Sequence, residues 1–178
     1  MPASPTIGTI RSAIVTAIKS ALNSGAPGTV TTVSAYRRFW RDQQKFEAIA
    51  LRTDSGGDVP AGTLNFWMVT RHATKEVEAE SWYRFFELHR FRMYGYMGVQ
   101  DITTGPGAGS GTPSEQMFQD QIENIRDNLR LNTAVFGNTE KTSPVVQVLQ
   151  FERVEIGQAG AWEAILELEA EGIEEKIT

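Results

Sequence analysis

Near the start of the chain apolar residues return at steps of three and four: Ile7, Ile10, Ile14, Ile18, Ala21 and Leu22. In a helix these positions share one face, and Asn23-Ser24-Gly25 supplies residues that end a helix. The pattern predicts an amphipathic helix over residues 5–23. A second stripe, Phe118, Ile122, Ile125 and Leu129, leaves Asp120, Glu123, Arg126 and Asp127 facing outward. It is preceded by Thr112-Pro113-Ser114-Glu115, a start signal with threonine at the N-cap, proline in the first helical position and a glutamate able to bond back to the cap. This second helix is expected to pack on a sheet.

Elsewhere the period falls to two. Residues 30–39 alternate loosely and predict a short strand, followed by a helical turn near residues 42–48. In residues 63–71, Leu64, Phe66 and Met68 would share one face and Trp67 and Val69 the other. With both faces apolar, that strand belongs inside a sheet or under a neighbouring subunit. The stretch SWYRFFELHRFRMYGYMGV, residues 81–99, mixes rings, arginines and aliphatic residues at strand spacing. It reads as a strand buried on one side and committed to a partner on the other.

The tail reads as a hairpin whose arms, residues 145–156 and 161–170, flank Gly157-Gln158-Ala159-Gly160. In its second arm Trp162, Ala164, Leu166 and Leu168 alternate with Glu163, Ile165, Glu167 and Glu169, a core face backed by what is nearly a glutamate ladder. Turn residues, charges and glycines mark residues 54–60, 73–80 and 104–111 as flexible loops. The expected class is α+β: a mixed, mainly antiparallel sheet flanked by two amphipathic helices, with a C-terminal β-hairpin. At 178 residues the chain is expected to form one domain over residues 1–178.

Composition narrows the functional classes. No apolar run approaches the roughly 20 residues of a membrane span, and serine, threonine, Arg11 and Lys19 interrupt the N-terminal stripe, so no secretory signal is expected. The absence of cysteine excludes a disulfide framework, a thiolate nucleophile and cysteine-ligated zinc, and makes the cytosol the default compartment. The net charge of −5 argues against general adhesion to nucleic acid. That charge is unevenly placed: residues 36–52 hold Arg37, Arg38, Arg41, Lys45 and Arg52 against Asp42 and Glu47, whereas residues 163–176 hold six glutamates against Lys176. Such polarity suits either two solvated faces or surfaces that choose their neighbours.

Catalytic chemistry is not legible. His72 and His89 have no metal-ligand spacing, and no nucleophile stands with a base in any recognised motif. The glycine-rich stretch of residues 105–111 lacks the lysine of a phosphate loop and the spacing of a dinucleotide loop. The expectation is a protein that is not an enzyme, with no catalytic, metal or cofactor-binding residue and no cofactor. The aromatic and basic residues are better suited to a protein interface, where tryptophan, tyrosine and arginine act as anchors.

Taken in order, the N-terminal helix, the strands, the long strand ending HRFRMYGYMGVQD, the glycine loop, the helix SEQMFQDQIENIRDNL and the hairpin VVQVLQFERVEI/AWEAILELEAE resemble the tail terminator and neck (head-to-tail joining) proteins of tailed bacteriophages and related contractile particles. The resemblance runs from about Ile7 to Ala170. Its best pieces are Tyr94-Gly95-Tyr96 before Asp101, Ser114-Glu115 with Phe118, and the hairpin.

What the resemblance implies is a structural virion protein, assembled in the host cytoplasm. It would be a homo-oligomer, expected to be a hexameric ring, that caps the tail tube and joins it to the head connector. Genomic DNA would pass through its centre without sequence-specific binding, and no membrane is involved. Ring closure needs two different patches on each subunit. The nominated interface residues are Tyr36, Arg37, Arg38, Phe39, Trp40 and Arg41 on one segment, and Trp82, Arg84, Phe86, Arg90 and Arg92 on the other. Glu163, Glu167, Glu169 and Glu171 are expected to face the lumen or a basic neighbour, since an acidic lining repels the duplex and lets it slide. The alternatives are another virion subunit, such as a tail tube or head-completion protein, or a small ligand-binding domain or enzyme.

Overall fold

The structure, a computed structural model, describes residues 7–23, 32–35, 64–78, 84–99, 114–131, 145–156 and 159–175, with backbone alone for residues 23, 32, 76–78, 84–87, 159 and 171–175. The elements in chain order are helix α1 (Ile7–Asn23), strands β1 (Thr32–Ser34), β2 (Asn65–Glu78) and β3 (Arg84–Gly98), helix α2 (Ser114–Leu131), and strands β4 (Val146–Ile156) and β5 (Ala159–Glu175). The strands form one five-stranded sheet in the order β1-β2-β3-β5-β4. β1 runs parallel to β2 and every other pair is antiparallel. The class is α+β, with the mainly antiparallel sheet, the two amphipathic helices and the terminal hairpin that the sequence predicts.

Both helices bury their apolar stripes against the same face of the sheet. Ile10, Ile14, Ile18, Ala21 and Leu22 of α1 and Phe118, Ile122, Ile125 and Leu129 of α2 join Trp67, Val69, Phe91, Met93, Met97, Leu166 and Leu168 in one core. Outside that core, α2 is lined by solvent-facing ion pairs at three-residue spacing, Arg126 to Glu123 at 2.6 Å and Arg130 to Asp127 at 3.4 Å. Such pairs add only a few tenths of a kcal/mol each, so burial of the stripe holds the helix.

One cross-strand row explains how α2 seats. Trp67, Gly95, Ala164 and Phe151 stand side by side across β2, β3, β5 and β4. The two small residues in the middle leave a hollow between two rings. Phe118 fills it, with ring centroids 5.8 Å from Trp67 and 5.9 Å from Phe151. Gly95 is therefore a packing residue: its missing side chain admits the indole of Trp67.

One loop expectation is adjusted by strand pairing. Residues 73–78, read as part of a loop over 73–80, continue β2 and pair with β3 as far as Glu78 opposite Phe85. Apart from Ala73 and Val77 the sequence there is polar and charged, and the ladder to β3 supplies the hydrogen bonds that keep it extended. The strand expected over residues 30–39 is described at Thr32–Ser34. The stretches 54–60, 79–80 and 104–111, the turn near 42–48 and the cap residues Thr112 and Pro113 lie outside the described residues.

Two β-bulges shape the sheet. His72 is the extra residue between Arg71 opposite Phe91 and Ala73 opposite Arg90. Leu149 is the extra residue between Val148 opposite Leu166 and Gln150 opposite Ile165. Each bulge reverses which residues face the helices, so Phe151 points into the core although Val146 and Val148, on the other side of the bulge, share its face.

Candidate interaction face

The face of the sheet turned away from the helices carries the residues with chemistry. At one end it is apolar and aromatic: Phe66 stacks on Tyr96 with centroids 4.9 Å apart, and Leu64, Met68, Tyr94, Val154 and Ile156 pack around them. Moving along the strands, the next rows are charged. Arg92 stands between Thr70 and Glu167, and Arg90 between Ala73 and Glu169.

The arginines and glutamates on this face meet each other. The Arg92 Nε donates to Glu167 Oε2 at 2.9 Å, a half-buried ion pair, and Arg90 Nε lies 2.6 Å from Glu169 Oε1 in a more exposed one. The hydrogen bond to Glu167 raises the pKa of Arg92 further above its ordinary value, and Tyr94 adds in the same direction against the opposing effect of burial. With the folded value above the unfolded one, this contribution is complete below the ordinary guanidinium pKa and is lost only above it. Arg92 therefore stays charged across the neutral range.

Glu163 has a different setting. It stands opposite Glu152 on β4 and Tyr96 on β3. Like charges directly opposite repel, and here the Gln150 amide bridges them: its Nε2 donates to Glu152 Oε1 at 2.5 Å and to Glu163 Oε2 at 3.5 Å. Among the described side chains of this face, the unneutralised acid is therefore concentrated at Glu152 and Glu163.

The placement of the nominated residues follows. Arg90 and Arg92 occupy one face of β3, and Glu163, Glu167 and Glu169 the same face of β5, while Arg84, Phe86 and Glu171 are strand positions described by backbone alone. The sequence treats the two sets as separate surfaces, and the structure brings their described side chains onto one, with Arg92 and Arg90 already engaged by Glu167 and Glu169. Residues 36–41 and Trp82 lie outside the described residues. The bridge by Gln150 was missed because its register depends on the Leu149 bulge. For the two ion pairs the sequence shows only that arginine (Arg90, Arg92) and glutamate (Glu167, Glu169) each recur at a spacing of two, and the register of β3 with β5 is what pairs them.

Neither histidine shares this face's ion pairs. His72 is the exposed bulge residue, and His89 is buried toward the helices, with Nδ1 3.1 Å from the Thr74 hydroxyl and its ring edge-on to Phe91. Among the described residues no group of three or more histidine, aspartate or glutamate side chains is arranged to hold a metal ion, and no helix is long and apolar enough to cross a membrane. No protein-family model matches the chain, and no curated protein does so either.

Proposed function

We propose that this protein is a structural virion subunit of the tail terminator or neck type, forming a ring that caps a phage tail tube and joins it to the head connector. The observation that carries the reading is the order of elements. An N-terminal helix, a long central strand with the Tyr94-Gly95-Tyr96 sequence, a helix beginning at Ser114-Glu115 and a terminal hairpin follow one another in the chain as they do in the resemblance drawn from its motifs.

In this reading the sheet face opposite the helices is turned toward other molecules. Glu152 and Glu163 supply the negative charge that keeps DNA from adhering to the channel, while Glu167 and Glu169 are largely neutralised by their arginines. The protein performs no chemistry: its work is to assemble, to stop tube growth and to let a duplex through.

The test is the mass of purified particles by light scattering, with negative-stain images of the same sample. Closed rings of about six subunits are expected. Long tubes would replace this reading with that of a tube subunit, and a monomer at every concentration would remove the ring.

A further inference from the structure

Three side chains on the face opposite the helices are shut away from water. Phe66 is 3% exposed, Met68 5% and Leu64 7%. Their described apolar neighbours, Tyr94, Tyr96, Val154 and Ile156, stand beside them in the same sheet. Flanking side chains screen the edges of a ring, but the top of a sheet face stays wet until a second layer lies on it. Both helices pack on the other face. The layer over Phe66 therefore belongs to a part of this chain outside the described residues, and no second copy is needed to supply it.

Connectivity selects that part. β1 and β2 are parallel neighbours, with Ser34 beside Met68. The chain leaves β1 at the level of Met68 and enters β2 at Leu64, nearer the start of the strand, so it has to cross one face of the sheet. Residues 36–63 make that crossing, and they exceed the dozen or so positions that a connection between parallel strands requires.

Handedness selects the face. The Gly98 N–H donates to the Leu64 carbonyl at 2.8 Å, so the backbone groups of Leu64, Phe66 and Met68 point toward β3 while their side chains point away from the helices. In a strand of L-residues that combination has one sense. Seen from the helix-free face with β2 running upward, β3 lies to its right and β1 to its left. Connections of this kind are right-handed in roughly 98% of cases. A right-handed path from β1 to β2 passes in front in this view, across Leu64, Phe66 and Met68. A path behind would be left-handed and would run into α1, which packs there on both strands.

We propose that residues 36–63 lie across the helix-free face and cover Leu64, Phe66 and Met68 with apolar side chains drawn from Phe39, Trp40, Phe46, Ile49 and Leu51. The stretch 100–113 has only Ile102 to offer as a large apolar residue, and 132–144 only Val135 and Phe136. Charge agrees in sign, since residues 36–52 hold five basic residues against two acidic ones and this face carries Glu152 and Glu163. The inference stands apart from the ring reading. It confines the open part of this face to the side of β5 and β4, where Glu163 and Glu152 stand. A partner that approaches the other side meets residues 36–63 and not the Phe66–Tyr96 stack.

The test is nuclear magnetic resonance on the full chain with labelled methyl groups, reading through-space contacts from the Leu64 and Met68 methyls. Contacts to Ile49, Leu51 or another methyl of residues 36–63 are expected. Contacts to residues 100–113 or 132–144 in their place would overturn the inference. Peroxide oxidation reads the same cover chemically, and in the parent Met68 should react as slowly as Met93 and Met97, which are buried in the helix-side core. Phe39→Ser, Trp40→Ser, Phe46→Ser, Ile49→Ser and Leu51→Ser combined should raise the Met68 rate at least about tenfold while Met93 and Met97 stay protected. Met68 still protected in that variant would also overturn the inference; if all three react, the variant has unfolded and the methyl contacts decide. Either failure leaves the ring reading standing, because no contact between copies is involved.

Discussion

Trp67 lies with its indole over Gly95, its direct partner across β2 and β3, so closely that a Cβ built at residue 95 would fall 2.5 Å from both Cζ2 and Cη2 of the ring. No side chain fits there without moving the indole, and the indole is fully buried against Phe118. Gly95→Ala is therefore expected to destabilise the protein by about 1–3 kcal/mol, the usual cost of forcing extra volume into a packed core. Denaturant unfolding measures it. Combining the change with Trp67→Leu should recover part of the loss, and a Gly95→Ala protein as stable as its parent would place the ring elsewhere.

Asn65 is 1% exposed, and neither its amide oxygen nor its nitrogen finds a protein hydrogen-bond partner. A buried amide without partners costs about 1–3 kcal/mol, whereas an apolar side chain of similar shape carries no such penalty. Asn65→Leu should raise the denaturation midpoint, with a gain of about 1 kcal/mol. A fall in stability would show that the amide is satisfied through ordered water.

These two positions also show what the sequence could express. The helix stripes and the alternation in β5 were legible because burial there follows a fixed period: Ile122 and Leu166 are core residues for the same reason they recur. Gly95 was legible only as part of a motif, since nothing in a linear pattern says that a residue twenty-eight positions earlier will lean over it. The continuation of β2 through Thr74 and Lys75 was hidden because these side chains are exposed and the strand is held there by backbone pairing with β3. The mutual neutralisation of Arg92 and Glu167 was hidden by register. Both residue sets carried a strand period, yet only the pairing of β3 with β5 places one beside the other.

The two arginine–glutamate pairs should differ in strength. Arg92 and Glu167 are the more buried, with side chains 29% and 13% exposed, against 47% and 42% for Arg90 and Glu169. A double-mutant cycle is expected to give a coupling of about 1–2 kcal/mol for the first pair and a few tenths of a kcal/mol for the second. The weaker coupling should vanish in high salt while the stronger persists. Equal couplings would mean that solvent reaches both pairs alike.

Reversing Glu163 separates the channel reading from simple loss of folding. Glu163→Lys replaces a repulsion with Glu152 by an attraction, so the variant should fold at least as well as the parent, whereas Glu167→Lys would set a lysine against Arg92. If the face lines a channel, the single change adds positive charge where DNA slides. In a ring each subunit would contribute the same change, so phosphate contacts would multiply around the duplex. Particles carrying Glu163→Lys should release DNA more slowly than the parent, with the difference largest at low ionic strength and reduced as salt screens it. Release that is unchanged at low salt, from particles of normal yield, would turn this face away from the DNA and toward another protein.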